Sequence, residues 1–202
     1  AGYEIPPKSN ANYAWILNMI SKLSQNGVAG FILANGALSG GGEEYKIRKQ
    51  IIENDLVEAV VILPQDMFYS TNISVTLWIL NRNKNERTFE VNDGIKNYRN
   101  RKGEVLFMDL RQKGEPFEKK FIQFGEEEIT AIATHYHNWQ QSNWKETYQD
   151  IPEYSYSASL EDIRKKDYSL VPSKYIEFVN RDESLDYDEQ MQSLQTDLIH
   201  LF

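Results

Sequence analysis

The stretch Leu56–Leu80, LVEAVVILPQDMFYSTNISVTLWIL, most constrains this chain. Two apolar, β-branched runs, Leu56–Leu63 and Ile73–Leu80, flank a short polar and aromatic link. Runs of this length and composition, bounded by Pro, Asp, Ser and Asn, read as buried strands. The link is too short for a helical crossover, so the second strand is expected antiparallel beside the first. It sets Phe68 and Tyr69 next to Ser70, Thr71 and Asn72. Two readings of the rings stand side by side. One ring seals the edge of the core, or the pair forms a stacking platform at the ligand edge of the sheet, where base–aromatic stacking contributes roughly 1–3 kcal/mol.

Upstream, Tyr13, Ile16, Leu17, Ile20 and Leu23 recur at helical spacing, with Asn10 or Asn12 as cap and Gly27 as stop. Val28–Leu33 reads as a strand. A second helix carries Glu43 and Glu44 at its positive end and Ile47, Ile51 and Ile52 on its apolar side. Helix and strand thus alternate over residues 11–63, which predicts a parallel sheet. Residues 81–103 read as a polar loop and Glu104–Leu110 as a further strand. A linker containing Gly114 and Pro116 leads to a helix after Gly125, with Ile129, Ile132, Tyr136 and Trp139 on one face. Ser159 to Asp162 has capping-box spacing. Tyr168–Tyr175 is extended around Pro172. Tyr187, Met191, Leu194, Leu198 and Leu201 form a heptad seam that predicts a C-terminal helix, the start of a longer one.

Composition suits a packed globular core: 41% hydrophobic and 26% charged over 202 residues. There is no cysteine, which fits a cytoplasmic protein and leaves no thiolate metal site. No apolar run approaches membrane-span length. Net charge is −8 and uneven: −1 over residues 1–83, +3 over 84–120 and −10 over 121–202. A self-sufficient nucleic-acid binder shows a basic face, so DNA contact is expected to be shared with other segments or partners. The Gly40-Gly41-Gly42 loop lies between strand and helix, as phosphate loops do, but its spacing is neither a Walker motif nor GxGxxG. A surface loop is the competing reading. The run 96–102 (KNYRNRK) reads as a solvated loop or as phosphate contacts. His135 and His137 diverge on a helix and His200 is distant, so no metal site is expected.

Four ordered stretches resemble the DNA-methylation (M) subunit of type I restriction–modification systems, an adenine-N6 DNA methyltransferase. They are Pro6–Trp15 (PPKSNANYAW), Gly27–Gly36 (GVAGFILANG), Ile47–Leu80 and Ser159–Tyr175 (SLEDIRKKDYSLVPSKY). The resemblance implies the C-terminal half of a Rossmann-like, S-adenosylmethionine-dependent sheet, mostly parallel with a final antiparallel hairpin, plus a small α-rich appendage. The expected division is 1–124 for the partial methyltransferase domain, 125–180 for the appendage and 181–202 for the heptad helix. The family's Gly-rich cofactor turn and its catalytic Asn-Pro-Pro-Phe motif are absent from the sequence. The chain is therefore expected to be an inactive fragment of an active parent, without tight S-adenosylmethionine binding and with no catalytic residue of its own. An exposed inner sheet edge would lower its stability unless an oligomer covered it. The resemblance places Phe68, with Tyr69 close behind, against an extruded adenine, and Asn72 as a loop-ordering residue. The implied partners are DNA and the specificity and restriction subunits. The alternative is a non-catalytic module that docks onto the specificity subunit.

Overall fold

A computed structural model of the chain describes residues 2–91, 94–179 and 191. Helix α1 (Asn12–Lys22) buries Tyr13, Ile16 and Ile20. Its N-cap is Ala11, without a side-chain cap bond; Asn10 instead accepts from the Asn12 N–H at 3.0 Å, closing the turn before the helix. Strand β1 (Val28–Ala34) and helix α2 (Gly42–Glu53) follow. The apolar runs of the opening stretch form β2 (Val57–Ile62), buried throughout, and β3 (Val75–Asn81).

The polar stretch read as a loop contains a hairpin, β4 (Arg87–Val91) and β5 (Gly94–Tyr98). The available signal was the turn-forming run Asn92-Asp93-Gly94 between Phe89/Val91 and Ile95. Strand β6 (Glu104–Asp109) lies where the apolar run predicts it. The linker after it holds a short hairpin, β7 (Glu115–Phe117) and β8 (Phe121–Gln123). Helices α3 (Glu126–Gln140) and α4 (Trp144–Thr147), strand β9 (Ser155–Ser159) and helix α5 (Leu160–Lys165) follow, and then a 3-10 turn at Pro172–Lys174 where an extended run is expected. Ser159 and Asp162 make the expected capping box at the start of α5. The heptad segment lies outside the described residues apart from Met191.

The main sheet has the order β1-β3-β2-β6-β9. This differs from a mostly parallel sheet. Only β2 and β6 are parallel neighbours among the described strands; β1–β3, β2–β3 and β6–β9 are antiparallel. The cause is the short link. Strand β3 turns straight back and inserts between β1 and β2, so the two strands joined by α2 share a direction but do not touch. The expected antiparallel pairing of β3 with its predecessor is present.

Both faces of the sheet are covered. On one, Val57, Val60, Trp78, Leu80 and Phe107 pack with Tyr13, Ile16, Ile47, Ile51 and Ile163 from α1, α2 and α5. On the other, Ala59, Val61, Val75, Leu106 and Met108 pack with Trp139, Ile132 and Tyr136 of α3. Val57 and Val60 share a face although they are three residues apart. The ladder register shifts between Val57 and Ala59, and such a bulge inverts the alternation. The residue at the shift is Glu58, fully buried.

Candidate functional site

Strands β1, β2 and β6 run the same way, so Ala34, Ile62 and Asp109 end at one rim. Three connections gather there: residues 35–41, 64–74 and 110–125. Asp55, Lys84 and Glu104 mark the opposite rim, where the Lys84 ammonium donates to Asp55 Oδ1, Val57 O and Glu104 O.

The 64–74 connection is tied at its base. The Leu63 N–H donates to Val75 O at 2.8 Å, and Ser74 Oγ donates to Leu63 O at 2.5 Å. Further out, the Asp66 N–H donates to Asn72 O at 3.4 Å. At the tip the Thr71 N–H donates to Phe68 O at 3.2 Å, closing a four-residue turn with Tyr69 and Ser70 at its corners. The turn separates the two rings. Phe68 is half-buried against the α3-side core, beside Met67. Tyr69 points outward and is 74% exposed. The two rings of the aromatic link thus differ: Phe68 packs on the core and Tyr69 is largely exposed. Asn72 takes part through its backbone carbonyl, as any residue could, and its side chain is exposed.

One neighbour of Tyr69 was hidden in the stretch read as a linker. Phe121 of β8 meets Tyr69 edge-on, with ring centroids 4.6 Å apart and planes at 70°. The Ile122 N–H donates to Asp66 O at 3.1 Å, which docks the β7–β8 hairpin onto the loop. The local signal was the aromatic pair Phe117 and Phe121 about Lys119-Lys120.

The Gly-rich loop at the same rim is held by the protein's own groups. Arg48, 3% exposed, donates to Gly40 O at 2.7 Å and to Tyr168 O at 2.8 Å. Leu170 N–H donates to Leu38 O. Burial pushes the Tyr13 hydroxyl up to about 12, and it donates to Ala37 O at 2.6 Å. These bonds fasten the loop to α1, α2 and the 168–170 segment.

Both arginines of the basic run 96–102 are engaged internally. Arg99 donates through both terminal nitrogens to Glu104, at 2.9 and 2.8 Å, with its guanidinium 4.1 Å from the Trp144 ring centroid. Arg101 is fully buried and donates to Glu58 Oε1 at 2.9 Å; Gln140 and Asn81 donate to the same carboxylate. Burial lowers the Lys84 pKa even with Asp55 beside it. These cations hold β4–β5 to the far rim and are spent internally.

His135 and His137 do not converge. His135 Nε2 lies 2.8 Å from Ser155 Oγ and His137 Nδ1 3.0 Å from Gln140 Oε1. No group of three or more His, Cys, Asp or Glu side chains able to hold a metal occurs among the described residues. No described helix is long and apolar enough to cross a membrane. Asp109, a buried carboxylate at this rim, is paired with Arg111 at 2.6 Å.

Comparison with known proteins agrees with this architecture. The family model described as N-6 DNA Methylase matches residues 1–184. The methylase subunit of the type I restriction enzyme HindI from Haemophilus influenzae is 40% identical over 95% of this chain and 40% of its own length. The MjaIX type I methylase subunit from Methanocaldococcus jannaschii is 31% identical over 96% and 32%. The chain therefore spans 40% or less of the length of these curated relatives. Among solved structures, the type I restriction-modification methyltransferase subunit from Streptococcus thermophilus has a TM-score of 0.69 at 28% identity, covering 86% of this chain and 32% of that one. The EcoKI M protein shares the fold, with a TM-score of 0.57 at 17% identity, covering 100% of this chain and 46% of that one.

Proposed function

The chain belongs to the N-6 DNA methylase family, and from that premise we propose that it is the base-capturing side of a type I methylation subunit acting on adenine N6 in DNA. The whole subunit transfers a methyl group to the amino nitrogen of an adenine swung out of the duplex. S-adenosylmethionine supplies that methyl group when bound; no residue of this chain is assigned to hold it. The chain's own task is to receive the base. Tyr69 presents a free ring face at the rim, and Phe68, seated on the core, fixes the turn that aims it. The hydrogen-bonded base of the loop, with Asn72 O accepting from Asp66, keeps that ring in place before DNA arrives. The observation that carries this reading is an aromatic residue 74% exposed on a tied turn at the rim where the parallel strands end.

Base capture is tested in the full-length subunit, with its partner subunits and a duplex carrying 2-aminopurine at the target adenine. Tyr69→Ala is expected to weaken the flipped state by roughly 1–3 kcal/mol, about 5- to 150-fold, and to reduce the fluorescence rise. Phe68→Ala is expected to do the same and also to lower thermal stability, because it empties a packed site. An unchanged fluorescence rise in both variants removes the loop from the base site.

The same reading takes DNA and the specificity and restriction subunits as partners, a cytoplasmic location, and the chain alone as inactive. A second reading, docking onto the specificity subunit, draws on Phe178 and Val179, 51% and 56% exposed, just before the heptad pattern. Loss of that subunit on shortening the parent after Val179 would favour it; full retention would count against it.

A further inference from the structure

We propose that the β7–β8 hairpin is a phosphate-holding arm for duplex DNA beside the extruded base, with Lys119 and Lys120 at its tip as the contacts. The inference rests on the base-capture reading of the neighbouring loop and adds to it a DNA-backbone site.

Position comes first. The hairpin stands on the rim of the capture loop and is joined to it twice, by the Ile122–Asp66 hydrogen bond and by the Phe121–Tyr69 ring contact. A group held to Tyr69 in this way meets the strand from which the base is drawn. Phe121 acts as a positioning residue, since it touches the capture ring.

Charge comes second. Of the stretches 1–83, 84–120 and 121–202, only 84–120 is net positive; Lys96 and Lys102 at the far rim are exposed, and Arg111 at the capture rim is paired with Asp109. At the far rim Lys84, Arg99 and Arg101 are buried and each is paired with a carboxylate. At the capture rim Lys113, Lys119 and Lys120 are exposed, and none of the three makes a salt bridge among the described residues. The ammoniums of Lys113 and Lys120 sit 5.4 and 5.0 Å from the ring centroids of Tyr154 and Phe121. An ammonium resting on a ring keeps its charge available to a phosphate. Glu115 and Glu118 share the hairpin, so it is a pair of point contacts rather than a broad basic field.

Backbone strain is the third observation. Glu118 and Lys119 have φ of 45° and 62°, the left-handed region that glycine occupies freely and other residues enter at a cost of about 1–2 kcal/mol. Long charged side chains stand where glycine would be easier. Such outliers concentrate where function overrides local preference. The turn is also seated from behind. Gly114 (φ 94°) packs so closely that a Cβ there would lie 2.4 Å from Ile122 Cγ2.

The test uses the full-length subunit with its partner subunits and a target duplex, measuring affinity against salt. Each phosphate contact adds about 0.9 to the slope of log K on log salt. Lys119→Ala/Lys120→Ala is expected to flatten that slope by roughly 2 and to weaken target and non-target DNA alike. Lys119→Arg/Lys120→Arg should keep it. Lys96→Ala/Lys102→Ala removes the same charge from exposed residues in the basic run of the far rim and should leave the slope unchanged. An unchanged slope in the Lys119/Lys120 alanine variant, or an equal loss in the far-rim variant, overturns the proposal. Tyr69→Ala separates it from the underlying reading. A lost 2-aminopurine signal with an unaltered lysine slope sinks the arm alone. A retained signal in Tyr69→Ala sinks base capture by that ring, and with it the arm's placement beside an extruded base.

Discussion

Replacing Arg101 by Met removes one side of the buried pair that ties the far rim together. The guanidinium is fully enclosed; its Nε donates to Glu58 Oε1 at 2.9 Å and Nη1 to Arg99 O at 2.9 Å. Methionine keeps much of the apolar length beside the Tyr98 and Trp139 rings. The loss is therefore the charge and its bonds. Breaking a buried pair by removing one partner costs about 3–5 kcal/mol, because the other charge is left without compensation. Gln140 and Asn81 still donate to Glu58, which favours the lower end, about 3 kcal/mol. That is a large share of the roughly 5–15 kcal/mol that holds a domain folded. With a urea m-value near 2 kcal/mol/M, the midpoint should fall by about 1.5 M. The assay is equilibrium unfolding followed by tryptophan fluorescence. Trp139 reports the Arg101 side and Trp78 the opposite face of the sheet. Glu58→Gln should also destabilise, and the double variant should lose less than the sum of the singles by about 1–3 kcal/mol. A midpoint shift under about 0.5 M, or additive singles, would refute the claim that this pair is internally spent.

Other consequences are as direct. Gly114→Ala should cost more than about 1 kcal/mol, from positive φ and the close Ile122 contact, and should raise protease cleavage at the β7–β8 turn. Burial lowers the His135 pKa from its ordinary 6.5, against the pull of Asp150. The unfolded chain then takes up this proton first as pH falls, so stability should drop as pH descends through 6.5 toward the folded value. His135→Gln should remove that component from thermal melts run across this range. Strand β1 pairs only with β3 among the described residues, and Val28 and Ile32 are 52% and 46% exposed. The isolated chain should self-associate with rising concentration, and Ile32→Lys should reduce this in sedimentation velocity. A monomer at all concentrations would contradict it.

What the sequence settled, it settled through short-range pattern. The apolar run of β2, interrupted only by Glu58, announces a strand covered on both faces. Of Ile129, Ile132, Tyr136 and Trp139, the last three form the buried side of α3 while Ile129 is left exposed, and Ser159 with Asp162 starts α5. Family membership was also legible, because it rests on ordered local stretches. Sheet order was not. Helix–strand alternation predicts parallel neighbours, but only folding shows β3 wedged between β1 and β2. Strand β9, with its Ser and Ala residues, carries too little apolar signal to be recognised without β6 beside it. The same holds at the site. Phe68 and Tyr69 are adjacent in sequence and equivalent by composition; the Thr71–Phe68 hydrogen bond turns one inward and the other out. Arg99 and Arg101 look like the chain's basic patch, yet Glu104 and Glu58 claim them. Lys119 and Lys120, in a stretch read as linker, are left facing solvent beside Tyr69's ring partner. Local patterns register which residues must be buried. Which charges find partners depends on groups distant in sequence, and only the tertiary structure decides that.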